Sequence, residues 1–210
     1  MLFSLGIVLL FAGGAVALWG VNHYSKDLPP YEQLADYYPP TLTRVHAGDG
    51  RLLAEFARER RVFVPITSMP RHLIDAFLSA EDQRFYDHIG IDPIGIARAA
   101  IQNLKNLGSG QRLKGASTIT QQVAKNFLLS NEVKFERKIR EALLALRMER
   151  VLSKDRILEL YLNEIFLGQR AYGVAAAALN YFDKSLDELT ISEMAFLAGL
   201  PKAPNNYHPV

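Results

Sequence analysis

The stretch IDAFLSAEDQRFYDHIG, residues 74–90, indicates both how this chain folds and where its chemistry lies. It begins as an apolar run, which predicts the last turns of a helix. Two adjacent carboxylates, Glu81 and Asp82, follow at the end of that run. A carboxyl group that is partly removed from water there is suited to proton transfer near neutral pH. The alternative is a solvated helix end with one or two salt bridges, and this stretch alone leaves both open.

Length and composition describe a globular protein with one domain and a short extension. The 210 residues are 49% apolar and 22% charged, which supplies enough apolar sequence for a hydrophobic core. The net charge of +2 is too small to indicate a nucleic acid partner, and we expect none. The sequence contains no cysteine, which excludes a disulfide framework and a thiolate site without deciding the redox compartment.

The N-terminal run Leu2–Val21 contains no charged residue and is long enough to cross a bilayer core of about 30 Å as a helix. Trp19 and Tyr24 lie where aromatic side chains meet the membrane interface. A cleaved signal peptide is the alternative, since Ala15-Val16-Ala17 resembles a cleavage site. That alternative lacks a basic segment before the apolar run, and the run is longer than is usual in signal peptides. We therefore expect residues 1–22 to form an uncleaved transmembrane anchor.

A linker and a β-hairpin are expected over residues 23–66. Two proline pairs keep the Lys26–Pro40 segment extended or turned. The runs Leu42–His46 and Arg51–Phe56 flank an Asp-Gly pair, which is a strong signal for a hairpin turn. Arg61–Pro65 is a candidate third strand.

From residue 67 to residue 210 the chain has the periodicity and the caps of a helical domain. The predicted helices are Arg71–Asp82, Pro93–Leu107, one that opens at Gly115–Thr118, Phe135–Leu152, Lys154–Glu164 with Gly168 closing it, Ala171–Phe182 and Ser192–Leu200. Their candidate N-caps are Asp92, Ser117 or Thr118, and Ser153. Asn106–Gly115 is predicted to be a mobile loop. The fold class is therefore mainly α with a small β-hairpin.

The helix that opens near Thr118 carries a polar stripe. Its members are Thr118, Gln121, Gln122 and Lys125, which follow at i, i+3, i+4 and i+7 and so share one face. Amide and hydroxyl groups suit hydrogen bonding to a sugar or an amide ligand. Free N–H groups at a helix N-terminus also favour an anion. The alternative is an ordinary amphipathic helix with its apolar residues on the other face.

The longest predicted helix holds a further carboxylate, Glu141, one turn after Arg137. A predicted apolar face on this helix consists of Phe135, Ile139, Ala142, Leu143 and Leu146. The Arg137–Glu141 pair lies on roughly the opposite side, but that side becomes apolar further along, so we expect the pair to be partly buried. It is either an i,i+4 ion pair worth a few tenths of a kcal/mol, or a functional pair. In the second case Arg137 meets an anion, and Glu141 a metal or a developing charge.

Other patterns are absent or ambiguous. The sequence has no phosphate-binding loop of Walker or Rossmann spacing, no HExxH pair and no nucleophile elbow around Ser117. Tyr161, Asn163 and Glu164 near a helix end are either core-packing residues or supports for a site.

Four motifs in order resemble those of one enzyme family. They are EDxxFxxHxG at residues 81–90, GASTITQQ with a following Lys-Asn at residues 115–126, RKxxE at residues 137–141, and a tyrosine- and asparagine-containing motif at residues 154–168. With them the chain resembles the glycosyltransferase domain of the class A penicillin-binding proteins, the family 51 peptidoglycan glycosyltransferases. The family's fifth motif does not occur before Val210, so we expect the sequence to be a piece of a longer protein.

The resemblance implies a lysozyme-like helical fold with a second, membrane-proximal lobe. It implies polymerisation of lipid II into β-1,4 glycan strands, with inversion and release of undecaprenyl pyrophosphate. The implied partners are lipid II, the growing glycan strand, the lipid bilayer and other proteins of cell wall synthesis. The implied location is the bacterial inner membrane, crossed once, with the catalytic domain on the periplasmic side.

The resemblance also assigns roles to single residues. Glu81 would be the general base on the 4-hydroxyl of the acceptor sugar. Glu141 would lie by the donor pyrophosphate, either binding a divalent cation (Mg²⁺ or Mn²⁺) or assisting the leaving group. The residues that would neutralise the pyrophosphate are Lys125, Arg137 and Lys138, and those that would shape the site are Asp82, Phe85, His88, Thr118 and Gln122.

Two other functions stay open. A glycan-cleaving enzyme of lysozyme-like fold needs one strongly placed acid, and would leave Glu141 and the polar stripe without a role. A truncated, membrane-anchored scaffold would bind lipid II or synthase partners without turnover.

Overall fold

The computed structural model describes residues 13–15, 18–26, 28–37, 43–56, 62–107, 115–129, 135–204 and 206–207. Most of the predicted anchor and of the predicted mobile loop lies outside these described residues. Within them, residues 18–24 are helical. No helix in these ranges combines the length and the apolar character that a membrane crossing needs.

The N-terminal part of the described chain contains a β-hairpin. Its strands, β1 (Thr43–His46) and β2 (Leu52–Phe56), pair antiparallel on either side of the predicted Asp-Gly turn. The third strand predicted over Arg61–Pro65 is wrong for residues 62–65, which form no strand. The backbone of Val64 pairs with a side chain instead: its N–H donates to Asn163 Oδ1 at 2.8 Å, and its carbonyl accepts from Asn163 Nδ2 at 2.9 Å.

The rest of the described chain is helical, which confirms the mainly α prediction. The helices are α1 (Arg71–Glu81), α2 (Pro93–Lys105), α3 (Ile119–Leu128), α4 (Phe135–Met148), α5 (Lys154–Glu164), α6 (Val174–Phe182) and α7 (Ile191–Gly199). The predicted caps are present. Asp92 and Ser153 each accept a backbone N–H of the first turn, and Thr118 and Gln121 form both halves of a capping box. A cap of this kind contributes about 1 kcal/mol.

The core forms where α3 packs against both α4 and α5, and where α1 packs on α7, with α6 between α5 and α7. Its fully buried side chains include Leu73, Phe77, Ile119, Leu144, Met148, Leu158 and Tyr161. This packing brings the C-terminal end of α1, the N-terminal end of α3 and one face of α4 together. The first three of the four sequence motifs lie at this junction, and the fourth lies mostly on α5, which packs against α3.

The buried face of α4 differs from the predicted one. The buried stripe is Glu141, Leu144, Ala145 and Met148, whereas Phe135, on the predicted apolar face, is 81% exposed. The reason is that α3 and the loop after α1 pack on the side that carries the carboxylate. The partial burial expected for the ion pair is confirmed, since the side chains of Arg137 and Glu141 are 23% and 3% exposed.

Gly168 does not close α5 as predicted. The helix ends at Glu164, where Ile165 is extended. Gly168 has a φ of +89° and lies in the next turn, where a β-carbon would come within 2.7 Å of the Pro204 carbonyl oxygen. Because this turn continues to Gly173, α6 starts at Val174, three residues later than predicted.

Residues 28–37, part of the segment predicted to be extended or turned, pack on the helical domain. Leu34 lies in a short 3-10 turn and is 2% exposed. Arg156 of α5 donates to the carbonyl oxygens of Leu34 at 3.2 Å and of Tyr37 at 2.6 Å. The segment is therefore tied to the same helix that carries the fourth motif.

Candidate active site

An open groove of about 230 Å³ lies at the C-terminal end of α1. Its walls come from the end of α1, one side of α2 and the segment 115–118 that precedes α3. Glu81, Arg84, Arg98 and Gln102 are among the side chains that line it. A concave surface with a carboxylate and several hydrogen-bonding groups suits a polar ligand such as a sugar.

Glu81, the last residue of α1, is oriented by Gln122 of α3. Gln122 Nε2 donates to Glu81 Oε2 at 2.8 Å, and both side chains are partly exposed. The carboxylate is thus held in place while a ligand in the groove can still reach it. Lys125, one turn further along α3, has no hydrogen-bond or ion-pair partner among the residues that the structure describes, so its charge is available to an anion.

Asp82 is buried and joins the loop after α1 to the start of α3. Its Oδ2 accepts from His88 Nε2 at 3.0 Å and from the backbone N–H of Ile119 at 3.0 Å. His88 Nδ1 accepts from the N–H of Gly90 at 3.1 Å, so the proton of the neutral imidazole lies on Nε2, facing Asp82. A carboxylate in this place also complements the N-terminal end of the α3 dipole. Asp82 and His88 therefore fix the backbone of this loop against the start of α3.

Gly90 and Thr118 close the same loop against α3 and α4. Thr118 Oγ1 donates to the Gly90 carbonyl oxygen at 2.6 Å. Gly90 has a φ of +97°, and a β-carbon there would lie 2.6 Å from the Ala145 carbonyl oxygen. Both the conformation and the close approach to α4 require glycine. This explains why a glycine ends the first motif.

Phe85 is 1% exposed and contacts a partly buried ion pair that the sequence did not indicate. Lys154 Nζ lies 4.4 Å from the centre of the Phe85 ring, in cation–π contact. It also donates to Glu149 Oε1 at 2.7 Å, and Thr120 Oγ1 donates to the same oxygen at 2.7 Å. Glu149 and Lys154 lie at the ends of two helices, and no local pattern in the sequence indicates their contact with Phe85.

Glu141 lies between two cations of its own helix. Lys138 Nζ donates to Glu141 Oε2 at 2.6 Å, and Arg137 Nε lies 3.1 Å from Glu141 Oε1. The second contact is an ion pair without the alignment of a hydrogen bond, since neither atom has a hydrogen-bond partner among the described residues. Lys138 Nζ also donates to Ser117 Oγ at 2.8 Å. The result is a cationic cluster around one buried carboxylate.

The surroundings of Glu141 do not fit a divalent cation. Both of its oxygens face a guanidinium or an ammonium group. In the part of the chain that the structure describes, no three His, Cys, Asp or Glu side chains come together as metal ligands. The cation expected from the resemblance stays a prediction, and we derive no step through it.

The polar stripe of α3 is not one ligand-facing surface. Thr118 and Gln121 are buried and bond to each other and to backbone groups, while Gln122 and Lys125 are partly exposed. Ser117, just before the helix, connects two parts of the site. It lines the groove that holds Glu81, and it accepts from the lysine of the cationic cluster.

Comparison with known proteins assigns the chain to a family. The family model described as Transglycosylase matches residues 49–210. Penicillin-binding protein 1A of Rickettsia felis is 57% identical over 202 residues, which are 96% of this chain and 26% of that protein. Penicillin-binding protein 1A of Vibrio cholerae is 47% identical over 211 aligned residues, which are 100% of this chain and 25% of that protein.

A solved structure is also similar. The crystal structure of penicillin-binding protein 1A from Haemophilus influenzae matches with 32% identity and a TM-score of 0.37, over 80% of this chain and 15% of that one. The chain spans about a quarter of the length of the curated relatives named above. With a family model that covers most of its residues, the chain belongs to the transglycosylase family.

Proposed function

We propose that this chain is a peptidoglycan glycosyltransferase that polymerises lipid II into β-1,4 glycan strands, with inversion and release of undecaprenyl pyrophosphate. The family supports the reaction class, and relatives named penicillin-binding protein 1A support the cell wall as its setting. The observation that carries the proposal is the position of Ser117, which borders both the groove of Glu81 and the cluster of Lys138 and Glu141.

In the proposed mechanism Glu81 is the general base. Its carboxylate accepts the proton of the acceptor 4-hydroxyl while that oxygen forms a bond to C1 of the donor sugar. The bond between C1 and the pyrophosphate oxygen breaks, and its electron pair leaves with the pyrophosphate. Attack from the face opposite the leaving group converts an α-linked donor into a β-linkage. The hydrogen bond from Gln122 holds the carboxylate in the orientation that this transfer needs.

The cationic groups act on the leaving group. Pyrophosphate leaves readily once its developing charge is neutralised, so electrostatic stabilisation is the main requirement on that side. Glu141 forms ion pairs with Arg137 and Lys138 on α4. These contacts restrict the rotamers of both side chains and keep the two positive charges in one place. Lys125, which has no partner in the described chain, supplies a third positive charge. In this role Glu141 positions the cations.

We also propose that the enzyme binds its lipid-carried substrate at the surface of a membrane. The uncharged run Leu2–Val21 would anchor the chain in the bacterial inner membrane, with the helical domain on the periplasmic side. Helix α2 supports contact with a lipid-carried substrate, because none of its residues is buried. Its large apolar side chains stand exposed beside the groove at Ile94, Ile96, Ile101 and Leu104.

Two substrates test the proposal. The protein is incubated in detergent with lipid II in one reaction and with finished glycan strands in another, and the products are separated by gel electrophoresis. Growth of polymer from lipid II is expected, with no shortening of finished strands. Release of short fragments from finished strands would show a glycan-cleaving enzyme instead. Binding of lipid II without turnover would show a scaffold.

A further inference from the structure

Tyr161 of α5 carries a hydroxyl group that has no assigned role. The side chain is 1% exposed, and its Oη is buried without a hydrogen-bond partner among the described residues. Such a group is costly to bury, because it has lost its hydrogen bonds to water. A phenylalanine would fill the same space without this cost. The hydroxyl therefore indicates a function beyond packing.

The position of Tyr161 relates it to the end of α1. Its ring packs edge-on against Phe77, with ring centroids 6.3 Å apart. Phe77 lies one turn before Glu81 on the same face of α1. Burial first, and then the negative charges of Glu81 and Asp82, raise the pKa of Tyr161 well above its ordinary value. The phenol is therefore a neutral donor, and these two carboxylates are the charged groups that act on it.

The two carboxylates differ in their remaining capacity. Asp82 already accepts from His88 and from the backbone of Ile119. Glu81 accepts one hydrogen bond from Gln122, and an ionised carboxylate has about four lone-pair sites. Glu81 can therefore take a further donor.

We propose that Tyr161 is a positioning residue for Glu81: its hydroxyl donates to the Glu81 carboxylate from inside the domain, through one bridging water. This role rests on the proposed function. Gln122 would hold the carboxylate from α3 and Tyr161 from α5, so that the base is fixed from two sides. The Tyr161 hydroxyl and the Glu81 carboxylate form no direct hydrogen bond in the structure. A bridging water can join two polar groups that are too far apart for a direct hydrogen bond.

The substitution Tyr161→Phe tests this role, since it keeps the ring and removes only the hydroxyl. We expect the kcat of lipid II polymerisation to fall about tenfold with KM unchanged. We also expect the acidic limb of the pH–rate profile to move to higher pH, because a donor to a carboxylate favours its ionised form. Tyr181→Phe is the matched control. Its hydroxyl donates to the Leu167 carbonyl oxygen at 2.8 Å, so its loss should lower stability and leave the pH–rate profile in place.

A second measurement does not depend on activity. Urea denaturation of the wild type, Tyr161→Phe, Glu81→Gln and the double variant gives a double-mutant cycle. Non-additive effects are expected. Additive effects, or an unchanged pH–rate profile for Tyr161→Phe, would overturn the role of Tyr161 and leave the proposed function standing. A wild-type protein that forms no polymer would overturn the proposed function, and the cycle would still report on the contact.

Discussion

Gln122 Nε2 donates to Glu81 Oε2 at 2.8 Å, and this hydrogen bond joins the middle of α3 to the last residue of α1. The two residues are 41 positions apart in the chain. Their contact depends on the packing of the loop after α1, which Asp82, His88 and Gly90 hold against the start of α3. The orientation of the proposed base is therefore a property of the fold as a whole.

The first prediction concerns this hydrogen bond. Gln122→Leu removes the donor and keeps a similar volume, so Glu81 loses its orientation while the helix stays intact. A hydrogen bond to a charged group is worth roughly 1.5–3 kcal/mol, which corresponds to a fall in kcat of about 10- to 100-fold. This fall in kcat is measured as the rate of polymer formation from lipid II. Gln33→Leu, at an exposed position with no assigned contact, is the matched control, and equal rates for the two variants would contradict the prediction.

The second prediction separates Asp82 from its neighbour Glu81. Asp82→Ala leaves two buried donors, His88 Nε2–H and the N–H of Ile119, without an acceptor. We expect the free energy of unfolding to fall by roughly 2–5 kcal/mol, as measured by urea denaturation. Asp87→Ala, at an exposed position in the same loop, should change it by less than about 0.5 kcal/mol. A similar small effect for Asp82→Ala would show that the buried contacts do not hold the loop.

The third prediction tests the docking of residues 28–37. Arg156→Ala removes the donors to the carbonyl oxygens of Leu34 and Tyr37, and leaves Glu159 without its guanidinium partner. We expect a loss of roughly 1–3 kcal/mol of stability and faster cleavage of this segment in limited proteolysis. Arg150→Ala, which alters an exposed arginine, is the control. If proteolysis of the segment is equally slow in both variants, Arg156 does not hold it.

The fourth prediction concerns alkaline pH. Burial, and then the hydrogen bond to Asp155 at 2.9 Å, raise the pKa of Tyr86 to about 12 from its ordinary value of 10.0. Because the folded-state pKa is raised, the contribution of Tyr86 to stability is complete below pH 10 and is lost as the pH rises through 12. The stability difference between the wild type and Tyr86→Phe should therefore shrink over this interval. A difference that stays constant from pH 8 to pH 12 would contradict the assignment.

Local chemistry explains what the sequence could predict. Asp92, Thr118 and Ser153 start their helices as predicted, because an N-cap depends on residues only two or three positions away. The hairpin turn has the same local origin. The acidic pair at the end of α1 and the ion pair of Arg137 and Glu141 were also visible as patterns of spacing.

Contacts between distant segments explain what the sequence could not predict. The buried face of α4 is the one with the carboxylate, because Gly90 packs against the backbone of Ala145 from that side. Hydropathy alone favours the opposite face. In the same way, Leu34 is buried because Arg156, more than a hundred residues later, binds the backbone around it. The cation–π contact between Lys154 and Phe85 likewise joins two distant segments, and no local sequence pattern indicates it.

The most direct test of the account is the rate of glycan polymerisation from lipid II by Glu81→Gln. Glutamine keeps the size of the side chain and cannot accept the proton, so we expect the rate to fall by about 10²- to 10⁴-fold in a protein that remains folded. The control is Glu188→Gln, at a capping-box position where glutamine serves as well as glutamate. It should polymerise at the wild-type rate. Wild-type polymerisation by Glu81→Gln would contradict the assignment of Glu81 as the base.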